Sequence, residues 1–513
     1  MNILRTCGRL LFLCLFFSVF SCTEESNYIQ ENTPASPSEP DPDPDTPTHT
    51  HVALSPKIDT QYGNPLLDFA FSADPTSIEH EGRLYVYATN DHQQYETSGA
   101  AGTNNYAAIR SLQMMSTDDM VNWTYHGTIP VKTIAPWITN SWAPSVVKRE
   151  EADGQTHFYL YFSNSGGGVG VLTSTSPTGP WTDPLGRDLV NGQTPGLGVC
   201  AWPFDPGALI DDSGIGWLTL GGGDSENALQ PGNARIVRLA SDMISFDSEF
   251  IPLDAPYHFE ANELNYINGT WVYTYCTSWD ERTEWPYGTE APTACCMSYM
   301  TSKTPLARDS WEYGHSYLQN PGEYGFDWGN NHTHLQKFMD KWYIFYHNQS
   351  LQRNFNSTGG YRSVCVDEIE VDETMVDISM GEMTKEGPSQ IKPLDPFAVQ
   401  QAETVAATQC VQFEQDDDSD NMLVKVAEDQ GMIQVRGVRF DREATEFAAY
   451  ASGKGTLEVR QNTSGGKIIA TIEVDSESIM PYTVQASLPA NSTVTLCFIL
   501  KGKSLRFDQW TFR

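Results

Sequence analysis

Positive charge is scarce in this 513-residue chain. There are 31 Lys and Arg against 66 Asp and Glu, a formal net charge of -35. That balance excludes nucleic acid and anionic membrane as partners and leaves neutral ligands open. Cysteines are few and irregular: beyond Cys22 they are Cys200, Cys276, Cys295, Cys296, Cys365, Cys410 and Cys497. An odd number without repeat spacing implies neither a disulfide framework nor a zinc site, and most read as small buried hydrophobes. Sustained helical periodicity is almost absent. No zinc-protease, P-loop, nucleophile-elbow or dinucleotide motif occurs, and Gly166–Gly168 and Gly221–Gly223 lack the following helix that a phosphate cradle needs. The longest apolar run, Leu10 to Phe20 behind Arg5 and Arg9, is too short to span a bilayer.

That run makes residues 1–21 an export signal. Cys22, after Val19-Phe20-Ser21, resembles the lipidated cysteine of bacterial lipoproteins, so the expected location is the outer membrane or cell surface, alternatively the periplasm. Residues 22–57, with Pro40-Asp41-Pro42-Asp43-Pro44-Asp45, hold too little apolar area to fold and read as an extended tether. The membrane is then met only through the lipid, and the rest of the chain is expected to be monomeric.

What is abundant is aromatic residues, 13 Trp and 23 Tyr, and one recurring unit. Asp74 precedes Leu84-Tyr85-Val86-Tyr87. Trp142-Ala143-Pro144 precedes Phe158-Tyr159-Leu160-Tyr161. Asp205 precedes Gly216-Trp217-Leu218-Thr219, and Glu260 precedes Trp271-Val272-Tyr273-Thr274-Tyr275. Asn331-His332 precedes Trp342-Tyr343-Ile344-Phe345-Tyr346. The aromatic strands start roughly 55 to 75 residues apart, a period of propeller blades. The fold class is therefore all-β, a five-bladed β-propeller over residues 58–395. After Pro393-Leu394-Asp395-Pro396 the hairpin spacing changes, and 396–513 reads as a β-sandwich of jelly-roll type. Innermost propeller strands surround one channel, so Asp74, Asp205 and Glu260 converge on a single funnel. Glu263 competes with Glu260, but residues three apart on a regular strand face opposite sides, so only one is expected to enter. Asp211 and Asp212 read as hairpin-turn residues.

Ala73-Asp74-Pro75, Phe204-Asp205-Pro206-Gly207-Ala208-Leu209-Ile210-Asp211-Asp212-Ser213-Gly214 and Phe259-Glu260-Ala261 together resemble glycoside hydrolase family 43. Ser141-Trp142-Ala143-Pro144, Ser176-Pro177-Thr178-Gly179-Pro180-Trp181, Gly329-Asn330-Asn331-His332 and Gly360-Tyr361-Arg362-Ser363-Val364 support it in the family's order. The resemblance implies an inverting exo-glycosidase acting on plant cell-wall polysaccharide, foremost an α-L-arabinofuranosidase on arabinoxylan or arabinan. The alternatives are a β-xylosidase or other family 43 activity, or an inactive glycan-binding lipoprotein. It implies Asp74 as general base and Glu260 as general acid, roughly 6.5–9.5 Å apart, with Asp205 raising the acid's pKa by like charge and orienting it. Arg362 is expected to hold Asp205 ionised or bind the sugar, and Trp142 to wall the sugar site. Asp91, after the first aromatic strand, reads as a sugar contact or a surface-loop residue. His332 resembles the family histidine beside a channel ion, usually calcium, held largely through water; no cofactor is required for the chemistry. Ala402-Glu403-Thr404, Val435-Arg436-Gly437-Val438 and Phe507-Asp508-Gln509-Trp510-Thr511-Phe512 resemble a family 6 carbohydrate-binding module, with Gln401 departing from its usual Glu.

Overall fold

The structure, a computed structural model, describes residues 57–416 and 421–513. The export signal, Cys22 and the tether up to residue 56 lie outside the described residues. Lys57, assigned to the tether, is instead buried. Its Nζ donates to Pro65 O at 2.7 Å and Gly63 O at 3.0 Å, and burial pulls its pKa down to about 8.

Five sheets form the propeller. Blade one is β1 (Ala73–His80), β2 (Arg83–Thr89), β3 (Leu112–Thr117) and β4 (Trp123–Ile129). Blade two is β5 (Trp142–Glu150), β6 (Thr156–Ser163), β7 (Gly168–Ser174) and β8 (Val190–Asn191). Blade three is β9 (Gly207–Ile210), β10 (Gly216–Gly221), β11 (Ala234–Arg238) and β12 (Ile251–Leu253). Blade four is β13 (His258–Ile267), β14 (Thr270–Thr277), β15 (Met297–Ser302) and β16 (Glu312–Leu318). Blade five is β17 (Thr333–Phe338), β18 (Lys341–Asn348) and β19 (Ser363–Ile369). Every aromatic run found in the sequence is the second strand of its blade. These strands pack between neighbouring blades: Leu264, Tyr273 and Tyr275 share one core cluster with Trp217 of blade three, while Ile344 and Tyr346 share another with Cys276 of blade four. The innermost strands contact one another round the ring, β1 with β5, β5 with β9, β9 with β13, β13 with β17 and β17 with β1. The ring is closed where the segment before β1 runs along β19, through Leu66 N to Val364 O at 2.8 Å and Ser72 N to Arg362 O at 3.0 Å.

The inner strands begin with a shared irregularity. Ala73 and Thr76 pair with Thr89 and Tyr87; Trp142 and Ser145 pair with Ser163 and Tyr161; Glu260 and Glu263 pair with Cys276 and Thr274. Each time two residues between the paired positions on the inner strand oppose one on its partner, which is a β-bulge. The bulged residues have left-handed backbone: Asp74 at φ 49°, Ala143 at 37° and Ala261 at 61°, and Asp205 ahead of β9 at 48°. Non-glycine residues adopt this conformation only when their surroundings impose it. Its recurrence in four blades, always at the mouth of the channel, ties it to aiming side chains there.

The C-terminal part is a nearly closed, sandwich-like sheet. Its longest hairpin joins Ala444–Gln461 to Ile468–Leu488, over a core that includes Val435, Phe440, Phe447, Leu457, Phe498 and Trp510. The short strand Thr404–Val405 leaves this sheet and pairs antiparallel with β4, so blade one gains a fifth strand from the second module. Arg436 donates to Lys57 O and Tyr62 O, both at 2.7 Å, and Asn122 exchanges hydrogen bonds with its backbone, both at 2.9 Å. At the departure noted in the sequence, Asn421 Nδ2 donates to Gln401 Oε1 at 2.7 Å and to Asp508 Oδ1 at 3.1 Å.

Candidate active site

Asp74 is buried at the mouth of the channel, where the bulge of β1 turns its carboxylate inward. Oδ2 accepts from Thr89 Oγ1 at 2.8 Å, and Oδ1 accepts from Arg362 Nη1 at 2.8 Å. Burial alone, the largest single influence, would raise its pKa; the Arg362 guanidinium, with the two neighbouring imidazoles and the Thr89 hydrogen bond, together outweigh it and hold the group below the ordinary 3.8, so it is an anion. Arg362 is 3% exposed. Its Nε and Nη2 donate to the two oxygens of Asp91, each at 2.9 Å, and its guanidinium carbon lies 4.8 Å from the Tyr106 ring centre. A fork fixed on one side by Asp91 presents its remaining arm to Asp74 in a set geometry. His347 approaches from blade five. Its Nδ1 accepts from Asp74 N–H at 3.2 Å and its Nε2 faces Asn330 O at 3.1 Å, so the neutral ring carries its proton on Nε2. Burial drives the His347 pKa down to about 3.

Across the funnel, Asp205 is tied to the acid's own strand. Its Oδ2 accepts from the N–H of Ala261, the residue after Glu260, at 2.9 Å, and Asn262 Nδ2 donates to Asp205 O at 3.0 Å. Ser163, at the end of β6, donates to Oδ1 at 3.3 Å and accepts from Asp205 N at 2.8 Å. Thr89, at the end of β2, accepts from Ala143 N at 2.7 Å while donating to Asp74. The rim is therefore linked by side chains from blade to blade: Asp74 through Thr89 to blade two, Ser163 to Asp205, Asp205 to the residue beside Glu260, and, from the other side, His347 to Asp74. Asp74, Asp205 and Glu260, separated by up to 186 positions in the chain, stand near the leading ends of three inner strands of one ring, and Asp205 is bonded to the residue after Glu260.

Residues 62–375 match the family model described as glycosyl hydrolases family 43. The chain belongs to that family. An arabinoxylan arabinofuranohydrolase of Bacillus subtilis is 34% identical over 485 residues, which cover 88% of this chain and 92% of that protein. Its namesake from Paenibacillus polymyxa is 33% identical over 481 residues, 88% of this chain and 74% of that one. A crystal structure of the Bacillus subtilis family 43 enzyme, in complex with cellotetraose, superposes with a TM-score of 0.82 at 32% identity, covering 89% of this chain and 99% of that one. These spans exceed the propeller and take in the C-terminal sheet.

In this family 43 glycosidase the companions of the carboxylates differ from expectation at three points. Arg362, expected to hold Asp205 ionised or to bind the sugar, instead holds the carboxylates of Asp74 and Asp91. Asp91 is not a surface-loop residue. It opens the helix Asp91–Ser98 with 0% exposure, and its oxygens are taken by Arg362 and by Asn104 Nδ2 at 2.7 Å. Glu263 does enter the interior beside Glu260. The bulge at Ala261 cancels one step of strand alternation, so both glutamates leave the same face, opposite Cys276 and Thr274. Glu263 Oε1 then lies 2.6 Å from His334 Nδ1 on β17, and burial raises its pKa. Trp142, at the start of β5, is buried; its indole donates to Tyr106 O at 3.2 Å and packs edge-on to the Tyr106 ring. His332 lies in the pit with Nδ1 3.6 Å from Asp74 Oδ1. Burial lowers its pKa to about 4, leaving a neutral imidazole with a free lone pair, and Asn331 Oδ1 beside it is buried without a partner. One nitrogen and one oxygen donor fit a cation that keeps most of its water; among the described residues no cluster of three or more His, Cys, Asp or Glu side chains forms a metal cage. Thr89, Ser163 and His347 were not singled out in the sequence. The available signal was a hydroxyl closing the second strand of a blade directly opposite its leading residue.

Proposed function

We propose that this family 43 glycosidase is an inverting, exo-acting α-L-arabinofuranosidase that removes arabinosyl side chains from arabinoxylan. The observation that carries the reading is a buried Asp74 paired with Arg362 on the same ring of inner strands that bears Glu260. Glu260 delivers its proton to the glycosidic oxygen as the bond to the anomeric carbon breaks. Asp74 takes a proton from a water attacking the same carbon from the other face, so the configuration inverts. Asp205 fixes the backbone beside Glu260 and adds a like charge that favours the protonated acid. Trp142 closes the apolar side of the sugar pocket. The relatives named above, which are called arabinoxylan arabinofuranohydrolases, support the choice of sugar.

Calcium, if bound, is held by His332 with water and supplies fixed positive charge in the channel. Cys22 carries a lipid after export, residues 22–56 tether the enzyme to the membrane of the outer envelope, and the C-terminal sheet holds polysaccharide. The test is incubation with aryl arabinofuranoside, aryl xyloside and arabinoxylan, with sugars identified and the first-formed anomer read by NMR. Xylose as the main product would replace the substrate assignment, and a retained configuration would remove the water-activation scheme. Glu260→Gln and Asp74→Asn each abolish turnover with folding intact; full activity in either removes that residue from its role.

A further inference from the structure

Two buried thiols lie beside the strand that carries the acid. Cys276 meets Cys295 with a sulfur–sulfur separation of 3.5 Å, and both residues are 0% exposed. Cys276 stands on β14 opposite Glu260 of β13. Cys295 is next to last in the connection from β14 to β15, nineteen residues (278–296) without helix or strand. Connections of that length are uncommon in a compact domain and concentrate at functional sites. Cys295 has left-handed backbone at φ 48°, which a non-glycine residue adopts only when its surroundings impose it. Its neighbour Cys296 faces elsewhere, with Sγ 3.3 Å from Ser316 Oγ and 3.5 Å from Thr277 Oγ1. Cys200, Cys365 and Cys497 meet amide groups instead: the first donates to Asn233 O at 3.2 Å, and the others accept from Asn348 Nδ2 and Gln434 Nε2, each at 3.4 Å. Cys295 Sγ also lies 3.5 Å from Gly329 O, in the connection from β16 to β17, so the thiol pair sits where blades four and five meet.

We propose that Cys276 and Cys295 are joined by a disulfide in the exported protein, closing a 20-residue ring that braces the loop beside Glu260. A disulfide bond is about 2 Å long, so a gap of about 1.5 Å remains to close. The chemistry is two successive thiol–disulfide exchanges with a dialkyl disulfide, such as oxidised glutathione or the active-site disulfide of a thiol oxidase. One thiolate of the pair attacks a sulfur of the oxidant and expels a first thiol. The second thiolate attacks the resulting mixed disulfide and expels the other. Two electrons pass to the oxidant and two protons follow to its leaving sulfurs, so the pair is oxidised as the oxidant is reduced to two thiols. Burial pushes the Cys276 thiol well above its ordinary range, which disfavours the reactive thiolate once the blade is packed; the bond therefore forms while the chain folds. Exported compartments hold such oxidants, whereas the cytosol keeps thiols reduced. The inference thus rests on the reading of residues 1–21 as an export signal.

The test uses the full chain in two preparations, one exported by a bacterial host and one refolded in mixed oxidised and reduced glutathione. Each is unfolded in iodoacetamide, cut with trypsin and read by mass spectrometry. Trypsin cuts after Arg282, which puts Cys276 and Cys295 on different peptides. Those two peptides emerge joined, two of the seven described cysteines escape alkylation, and the joining survives Cys296→Ser but not Cys295→Ser. Closing a ring of this length lowers the unfolded-to-folded ratio by roughly a hundredfold, read as a rise in the urea midpoint of the oxidised over the fully reduced chain that Cys276→Ala abolishes. Alkylation of all seven cysteines in the glutathione-refolded chain, or joining through Cys296, would overturn the pairing. A joined chain no more resistant to urea than the reduced one would overturn the bracing role. A chain joined after refolding in glutathione but reduced after passage through the host would overturn the export reading, and with it the bond in the cell, while the pairing stands.

Discussion

Replacing Thr89 by valine isolates one hydroxyl at the centre of the site. Valine keeps the β-branched shape but removes the donor to Asp74 Oδ2 at 2.8 Å and the acceptor of Ala143 N–H at 2.7 Å. A hydrogen bond to a buried carboxylate contributes about 1.5–3 kcal/mol, and an orphaned buried N–H costs about 1–3 kcal/mol. Because both losses fall on one side chain, they overlap, and the expected destabilisation is about 2–5 kcal/mol. Thr89→Ser retains both bonds and deletes one methyl, for about 1 kcal/mol. Equilibrium urea unfolding at neutral pH measures both variants, and kcat/KM as a function of pH measures the base. The pKa of Asp74 is lowered in the folded state, so its share of stability is complete above the ordinary 3.8 and is lost as the pH falls through the lower folded value. The part of the valine variant's deficit that comes from the carboxylate bond therefore shrinks in that acid window. With one stabilising donor gone, the acidic limb of the rate profile moves to higher pH. A valine variant as stable as wild type with an unmoved acidic limb, or a serine variant worse than valine, would refute the idea that this hydroxyl positions the base.

Arg362→Met leaves Asp74 and Asp91 buried without their shared cation; thermal or chemical unfolding should show a loss of about 3–5 kcal/mol, and the acidic limb should move upward. Gly207→Ala puts a Cβ 2.7 Å from Glu263 Cα and 2.8 Å from Asn262 O at the narrow inner ring, with an expected loss of about 1–3 kcal/mol by calorimetry. Chelation followed by calcium return should lower and then restore activity if His332 serves a cation, and His332→Ala should abolish the calcium response; activity indifferent to chelator would dismiss the ion. Asn122→Ala breaks the exchange with Arg436 between the modules and should lower unfolding stability by about 1–3 kcal/mol with aryl turnover unchanged.

The sequence carried the blade count because each second strand is an unbroken aromatic and β-branched run, as Trp342–Tyr346 illustrates, and because turns such as Asn268-Gly269 mark its start. It also placed Asp74, Asp205 and Glu260 at the leading ends of inner strands, which in any propeller point at one axis. What it did not carry is the backbone at their start. Alternation along a strand separates Glu260 from Glu263, and only the left-handed residue at Ala261 brings them to one face. Nothing local in an alanine signals that conformation; closure of the ring imposes it. The partner of Arg362 was equally hidden, because Asp91 and Arg362 lie 271 positions apart and only the meeting of the first and last blades joins them. Thr89 and Ser163 are ordinary strand-ending hydroxyls until the bulge opposite gives each a second bond to make.

The strand Thr404–Val405 laid along β4 has a consequence for the life of the chain. Blade one would otherwise offer a bare outer strand, the kind of surface that recruits a neighbour's backbone. Here the recruit comes from the same polypeptide and is made after the propeller strands. Until then a nascent or truncated chain displays an open template, so shortened forms ending before residue 404 should be prone to self-association, and the late module acts as the protein's own guard against sticking to its copies.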